Sequence, residues 1–159
     1  MRGAIAAAVF AVQLALAGCA TGYGADDITG GYSEAQISPG VWTLRYAGNG
    51  YTTRETVQTF WLYRAAELTL EQGYDGFEIV SNMRLSALGG GLSDVQYVEK
   101  PYLVGEIRML KKPFTPRPPT ILDAHALKAR LEPLVKGKLC DDHNVCPHVH
   151  DYLMPPLST

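Results

Sequence analysis

The chain has 159 residues, of which 47% are hydrophobic and 19% are charged, and its formal net charge at pH 7 is −2. This length suits one domain, and the charge is too nearly balanced for a disordered chain. No block of Lys and Arg occurs, which argues against nucleic acid as a partner.

Residues 1–18 have the features of a secretory signal peptide. Arg2 gives a positive start, and an apolar run from Ala4 to Leu16 follows, interrupted only by Gln13. A membrane span needs about 20 apolar residues, so this run is too short to cross a bilayer but suits the apolar region of a signal. Without residues 1–18, the chain has 141 residues and a net charge of −3.

The signal ends in Leu16-Ala17-Gly18-Cys19, which looks like a bacterial lipobox, in which the cysteine is acylated and becomes the mature N-terminus. An ordinary secretory signal with a chance cysteine is the alternative. Stable anchoring needs more than one acyl chain, and a lipoprotein cysteine carries more than one. Because Ala20, and not Asp, follows Cys19, this resemblance implies an outer-membrane anchor with the domain facing the periplasm.

Residues 19–31 are predicted to be the lipidated cysteine and a flexible tether. Residues 20–31 contain four glycines and no hydrophobic period, and a random coil of this length spans about 20 Å. The domain is therefore expected to begin at Tyr32. Its first strand is predicted at 41–46, where apolar and polar residues alternate.

A long helix is predicted over residues 53–72. Thr52 and Glu55 form a T-x-x-E capping box at its start. Apolar residues such as Val57 and Trp61 recur at helical spacing after it, which indicates one buried face.

A strand at 77–81 follows the helix, and the succession predicts a β-α-β unit with parallel strands and a right-handed crossover. Residues 83–94 include three successive glycines and are predicted to be a mobile loop. Strands at 95–98 and 102–110 are predicted to form a hairpin around Pro101, because proline disfavours a central strand.

The segment KKPFTPRPPT holds four prolines and predicts a stiff, extended connector. Asp123 can cap a second helix, which Pro133 must kink or restart. The domain is thus expected to span 32–137. Its predicted fold class is α+β: a two-layer β-α-β-β-β-α domain, with a small mixed sheet of about four strands and two helices on one face.

Three segments carry a resemblance to a known family. They are Gly-Tyr-Ser-Glu at 31–34, Ala-Ala-Glu-Leu-Thr at 65–69 and Gly-Tyr-Asp-Gly-Phe at 73–77. Together they resemble small bacterial envelope lipoproteins of unknown activity, many of them alphaproteobacterial, over about residues 29–81. The resemblance implies an envelope lipoprotein and brings no catalytic residue with it.

Residues 138–159 form a C-terminal tail with Cys140 and Cys146. Since Cys19 is assigned to lipid, these two cysteines remain as a pair in an oxidising compartment and are expected to form a disulfide. Closing this short loop contributes about 2.4 kcal/mol on a chain-entropy argument.

A zinc site and a redox role are alternatives for the tail. All zinc ligands would come from one short loop, unlike most structural sites. The spacing of the two cysteines also lacks the C-x-x-C pattern of thioredoxin-like chemistry. With the disulfide formed, three histidines remain weak candidates for metal binding: His143, His148 and His150.

No motif for catalysis is recognised. Ser33, Glu34 and His125 supply a hydroxyl, a carboxylate and an imidazole, but Ser33 does not lie in a nucleophile elbow. The glycines at 89–91 lack the Lys-Ser/Thr of a phosphate loop. We therefore expect no enzymatic activity and no cofactor. The expected function is an envelope interaction or integrity module, held in the lipid bilayer by Cys19, with an envelope protein as partner. The alternative is metal binding through the tail.

Overall fold

The structure is a computed structural model that describes residues 22–90 and 98–136. These residues form a layer of six strands covered by two helices, which confirms the predicted two-layer α+β class. The sheet has six strands, however, where about four were expected. In chain order, the elements are β1 (Gly31–Ser38), β2 (Val41–Ala47), α1 (Arg54–Glu71), β3 (Gly76–Ile79), β4 (Arg84–Gly90), β5 (Val98–Leu110), β6 (Ile121–Asp123) and α2 (Ala124–Lys136).

Strand β5 is the centre of the sheet. It pairs with β2 along one edge and with β4 and then β3 along the other, while β1 and β6 are the outer strands. Every pairing between these strands is antiparallel, so the predicted mixed sheet is wrong. Strands β2 and β3 do run in the same direction, since each is antiparallel to β5. In the sheet, however, β5 lies between β2 and β3, although it comes after both in the chain. The two strands of the predicted β-α-β unit are therefore not neighbours.

Pro101 lies inside β5, which corrects the predicted hairpin around it. It pairs with Ala87 of β4, and its carbonyl oxygen accepts a hydrogen bond from Gly48 N at 2.8 Å. The backbone nitrogen and carbonyl of Pro101 thus face Gly48, one residue beyond the end of β2. No carbonyl of β2 lies there to accept a hydrogen bond, so the missing N–H of proline has no cost. The hairpin is formed by β4 and β5 instead. Residues 84–90 of the predicted mobile loop accordingly form a strand, and residues 91–97 lie outside the described part of the chain.

Helix α1 is present as predicted, but its cap is shifted by one residue. The Thr53 Oγ1 accepts a hydrogen bond from Thr56 N at 3.2 Å. The Thr52 hydroxyl instead donates to Asn49 Oδ1 at 3.1 Å in the preceding turn. Two adjacent threonines offer the same cap chemistry, and the Asn49 turn selects between them.

The core lies between α1 and the sheet. Trp61 is fully buried, and its Nε1 donates to the carbonyl oxygen of Leu44 at 3.0 Å. Gly105 of β5 allows this close approach, because a Cβ there would lie 2.8 Å from Trp61 Cζ2. Helix α2 packs beside α1 on the same face of the sheet, so α1 is covered on most of its surface. This placement explains why α1 has so few exposed residues.

Asp123 caps α2, as the sequence predicts. Its Oδ1 accepts a hydrogen bond from Ala126 N at 3.0 Å, and this bond holds the pKa of Asp123 below its ordinary value. We expect Asp123→Ala to lower the free energy of unfolding at pH 7 by about 1 kcal/mol, measured by denaturant titration. Because the folded-state pKa is lowered, this stabilisation is complete above the unfolded pKa and is lost as the pH falls through the folded value.

Asp123→Asn is the matched control for this cap. It keeps the acceptor for Ala126 but removes the ion pair with Lys112, in which Nζ lies 3.3 Å from Asp123 Oδ2. Asn should therefore retain most of the stability at pH 7. Equal losses for Asn and Ala would show that the ion pair, and not the cap, carries the effect.

Candidate functional site

Residues 22–30, which the sequence predicts to be part of a flexible tether, instead pack against the domain. The ring of Tyr23 lies edge-on to Phe60 and Tyr63 of α1, with centroid distances of 5.7 and 5.0 Å. Its hydroxyl donates a hydrogen bond to Glu67. Tyr23 is thus part of the aromatic packing around α1.

Backbone contacts hold the same segment to the sheet. The carbonyl oxygen of Gly22 accepts a hydrogen bond from the Tyr46 hydroxyl at 2.8 Å. Asp26 N donates to the carbonyl oxygen of Tyr32 at 2.8 Å, and Tyr32 N donates to that of Gly24 at 2.9 Å. The segment therefore covers the start of β1, and the chain is fixed to the domain from Gly22 onward.

Arg64 lies at the centre of an ion network beside this segment. Its Nη2 donates to Glu34 Oε1 at 2.7 Å and to Glu71 Oε2 at 2.9 Å. Its Nη1 lies 3.6 Å from Glu67 Oε2. The guanidinium also stacks over the ring of Tyr32, with Cζ 4.5 Å from the centroid. Arg64 consequently links the edge strand β1 to α1 and, through Glu67, to Tyr23.

The environment of Arg64 suits a structural role. Burial alone would lower the pKa of Arg64, but its hydrogen bonds to Glu34 and Glu71 raise this pKa above the ordinary value. A group that stays charged at all working pH values serves as neither a proton donor nor a proton acceptor. The side chain is only 9% exposed, so little of it is accessible to a ligand. We interpret the network as the clamp that holds β1 and the incoming chain on α1.

Three tyrosines around α1 predict sensitivity to alkali: Tyr46 and Tyr63 are buried, and Tyr23 is partly buried. Burial raises the pKa of Tyr63 to about 12, and burial raises the pKa of Tyr23 and Tyr46 as well. Because the folded-state pKa values are raised, the stabilisation is complete below about pH 10, the unfolded pKa, and falls as the pH rises through the folded values. We expect tyrosinate absorbance at 295 nm to show a late phase that coincides with loss of far-UV circular dichroism.

Tyr63→Phe tests this assignment, because phenylalanine has no proton to lose. The alkaline unfolding midpoint of this variant should move to higher pH. If all 9 tyrosines of the chain ionise together near pH 10 while the protein stays folded, the phenols of Tyr23, Tyr46 and Tyr63 do not limit alkaline stability.

A polar cleft of about 270 Å³ lies at the end of the sheet where β1 starts and β2 ends. One wall is the turn at 26–30, and the other is the turn that follows Ala47. Strand β5 supplies the floor through Lys100 and Tyr102. The cleft thus lies between the segment at 26–30 and the adjacent ends of β2 and β5.

Both signs of charge line this cleft. Arg45 Nη1 lies 3.3 Å from Asp26 Oδ2, and its Cζ lies 5.6 Å from the ring centroid of Tyr102. Asp27 Oδ1 accepts hydrogen bonds from the backbone N–H and the hydroxyl of Thr29, both at 2.6 Å, which lower the pKa of Asp27. The cleft therefore offers carboxylates and cations together, a combination suited to ligands that carry both charges.

The face of the sheet opposite the helices forms a second surface, which we call the open face. Its charged residues pair across strands, as in the contact of 2.9 Å between Arg108 Nη1 and Glu78 Oε2. Its side chains are exposed or partly exposed in the described structure. The open face is formed by Ser33, Thr43, Glu78, Val104, Glu106 and Arg108.

The structure separates the polar residues that the sequence offers for catalysis. Ser33 is exposed on β1, at one edge of the sheet, and His125 is exposed in the first turn of α2, just after β6 at the opposite edge. Glu34 points to the helix layer, where it binds Arg64. These three groups do not form one site.

The predicted lipid and tail sites lie outside the described residues. Acylation of Cys19, the Cys140–Cys146 disulfide and the metal alternative therefore stay predictions. Within residues 22–90 and 98–136, no group of three or more His, Cys, Asp or Glu side chains is placed to hold a metal ion. None of the helices in these two ranges is long and apolar enough to cross a membrane. The tail histidines concerned are His143, His148 and His150.

The main feature of the site, the attachment of residues 22–30 to the domain, is not apparent in the sequence. Arg64 and Glu67 lie three residues apart on α1 and form an ion pair, but Glu34 and Glu71 also bind the same guanidinium. The available signal was an arginine inside an otherwise apolar stretch of helix. A buried cation requires acidic partners, and Glu34 is the acidic residue of β1.

Comparison with family models, with curated proteins and with solved structures finds no match for the chain.

Proposed function

We propose that the protein is a lipoprotein, anchored in the outer membrane through acylated Cys19, whose domain is a non-catalytic interaction module facing the periplasm. The observation that carries the proposal is the lipobox Leu16-Ala17-Gly18-Cys19 directly after a signal-like apolar run. The resemblance to small envelope lipoproteins supports the same location. A second acyl chain makes such an anchor stable, since each buried CH₂ contributes about 0.8 kcal/mol.

The interaction role is supported by how the domain uses its charges. Arg64 forms ion pairs with Glu34, Glu67 and Glu71. These charges therefore hold β1 against α1. The polar side chains of the open face are accessible instead. The open face carries the charged side chains of Glu78, Glu106 and Arg108. Accessible polar and charged side chains of this kind are typical of the rim of a protein interface.

Site-specific photo-crosslinking in cells tests this role. A photoreactive residue at Thr43 samples the open face, and one at Ala129 samples the exposed side of α2 as a matched control. The proposal expects a discrete crosslinked product from position 43 and none from position 129. Absence of a product at position 43, or the same products from both positions, would count against an interaction module that uses the open face.

A further inference from the structure

The distance between the lipidation site and the folded domain is short. Only Ala20 and Thr21 separate Cys19 from Gly22, and three residue steps extend at most about 11 Å. Gly22 is already held by the Tyr46 hydroxyl. If Cys19 carries the lipid, the domain is held against the bilayer and not at the end of a 20 Å tether.

The end of the domain near this attachment exposes apolar side chains on two turns. Ile28 is fully exposed and Tyr51 is 63% exposed, the highest values among the large hydrophobic residues of the described structure. Ile28 borders the cleft from one side. Tyr51 lies in the turn on the other side, where its N–H donates to Asn49 Oδ1 at 2.9 Å. Exposed tips with these side chains are typical of contact with the headgroup and upper acyl region of a membrane.

The charges between the two turns fit the same surface. Lys100 and Arg45 can meet lipid phosphates, and Asp26 and Asp27 can meet the amine of a zwitterionic headgroup. Tyr102 adds an amphipathic ring to the cleft floor. A surface with both signs of charge and apolar tips matches a membrane rich in zwitterionic lipid better than it matches a strongly anionic ligand.

We propose that this end of the domain, formed by the turns at 26–30 and 48–52 and the cleft between them, lies on the bilayer surface. The inference rests on the proposed acylation of Cys19. It gives the lipoprotein a fixed orientation, in which the long axes of the strands point away from the membrane. The open face is then roughly perpendicular to the bilayer and accessible to periplasmic partners.

Hydrogen exchange of the acylated, full-length mature protein tests the orientation. The protein is placed in vesicles of phosphatidylethanolamine and phosphatidylglycerol and compared with the same protein in detergent. We expect exchange in the 26–30 and 48–52 turns to slow several-fold in vesicles, with no change at the 38–41 turn at the opposite end of β1. Vesicle flotation of each sample reports anchoring separately.

Two isoleucines give a matched pair of variants. Ile28→Ser removes an apolar tip at the membrane end, whereas Ile37→Ser removes an exposed isoleucine near the far end of β1. The first variant should lose the vesicle-dependent protection of its turn, and the second should keep it. Flotation without protection in the unaltered protein would overturn the orientation and leave the anchor standing. Failure to float would overturn both.

Discussion

Replacing Arg64 with Leu is expected to destabilise the domain by about 3–5 kcal/mol, the usual cost of removing one partner from a buried ion pair. The replacement removes the guanidinium that neutralises Glu34 and Glu67, whose side chains are only 20% and 14% exposed. It also removes the cation that stacks on Tyr32. The loss should be measured as a lowered denaturant midpoint with an unchanged slope.

Two further variants separate the clamp from simple loss of volume. Glu71→Gln removes a partner that is 52% exposed and should cost no more than about 1 kcal/mol. Adding Glu34→Gln to Arg64→Leu removes one unpaired carboxylate and should restore part of the lost stability. If the free energy of unfolding of Arg64→Leu lies within about 1 kcal/mol of the value for the original protein, the network does not hold β1 and the incoming chain on α1.

Replacing Cys19 with Ser is expected to abolish incorporation of fatty acid into the protein. The thiol is the only group in the lipobox that can accept the lipid, because Leu16, Ala17 and Gly18 have no nucleophilic side chain. Cells fed an alkyne-tagged fatty acid should therefore label the unaltered chain and leave the variant at background. The variant should also be absent from the outer-membrane fraction.

Cys140→Ser is the matched control for this experiment, since it removes a cysteine that the proposal leaves free of lipid. It should incorporate the tag as well as the unaltered protein does. Labelling that survives in Cys19→Ser, or that disappears in Cys140→Ser, would place the lipid elsewhere. A chain that is never labelled would mean that the apolar run is an ordinary secretory signal.

Local patterns predicted the parts of the fold that carry regular periodicity. Strand β2 and helix α1 were found because their apolar residues recur every two or about every 3.6 positions. Strand β1 was missed, because Glu34 and Gln36 lie on its helix-facing side and hide the alternation. Glu34 can occupy this side of β1 because Arg64 of α1 neutralises its charge in a direct ion pair.

Sheet order and strand direction depended on tertiary contacts that the sequence does not display locally. Pro101 favoured a turn in the sequence, yet in β5 it lies opposite Gly48, just past the end of β2, where its missing N–H has no cost. Insertion of β5 between β2 and β3 then made the sheet antiparallel. The same limit applies to the site. Four glycines predict a flexible tether, whereas the contacts of Tyr23 and the hydrogen bond from Tyr46 to Gly22 fix the chain.

The mass of the N-terminal peptide shows whether Cys19 is the acylated N-terminus of the mature chain. The full chain is expressed in a Gram-negative bacterium, extracted from its outer membrane and digested, and the N-terminal peptide is measured by mass spectrometry. We expect a peptide that begins at Cys19 and carries the added mass of several acyl groups. A peptide that begins at any other residue, or an unmodified Cys19, would contradict the lipoprotein assignment and the membrane orientation that rests on it.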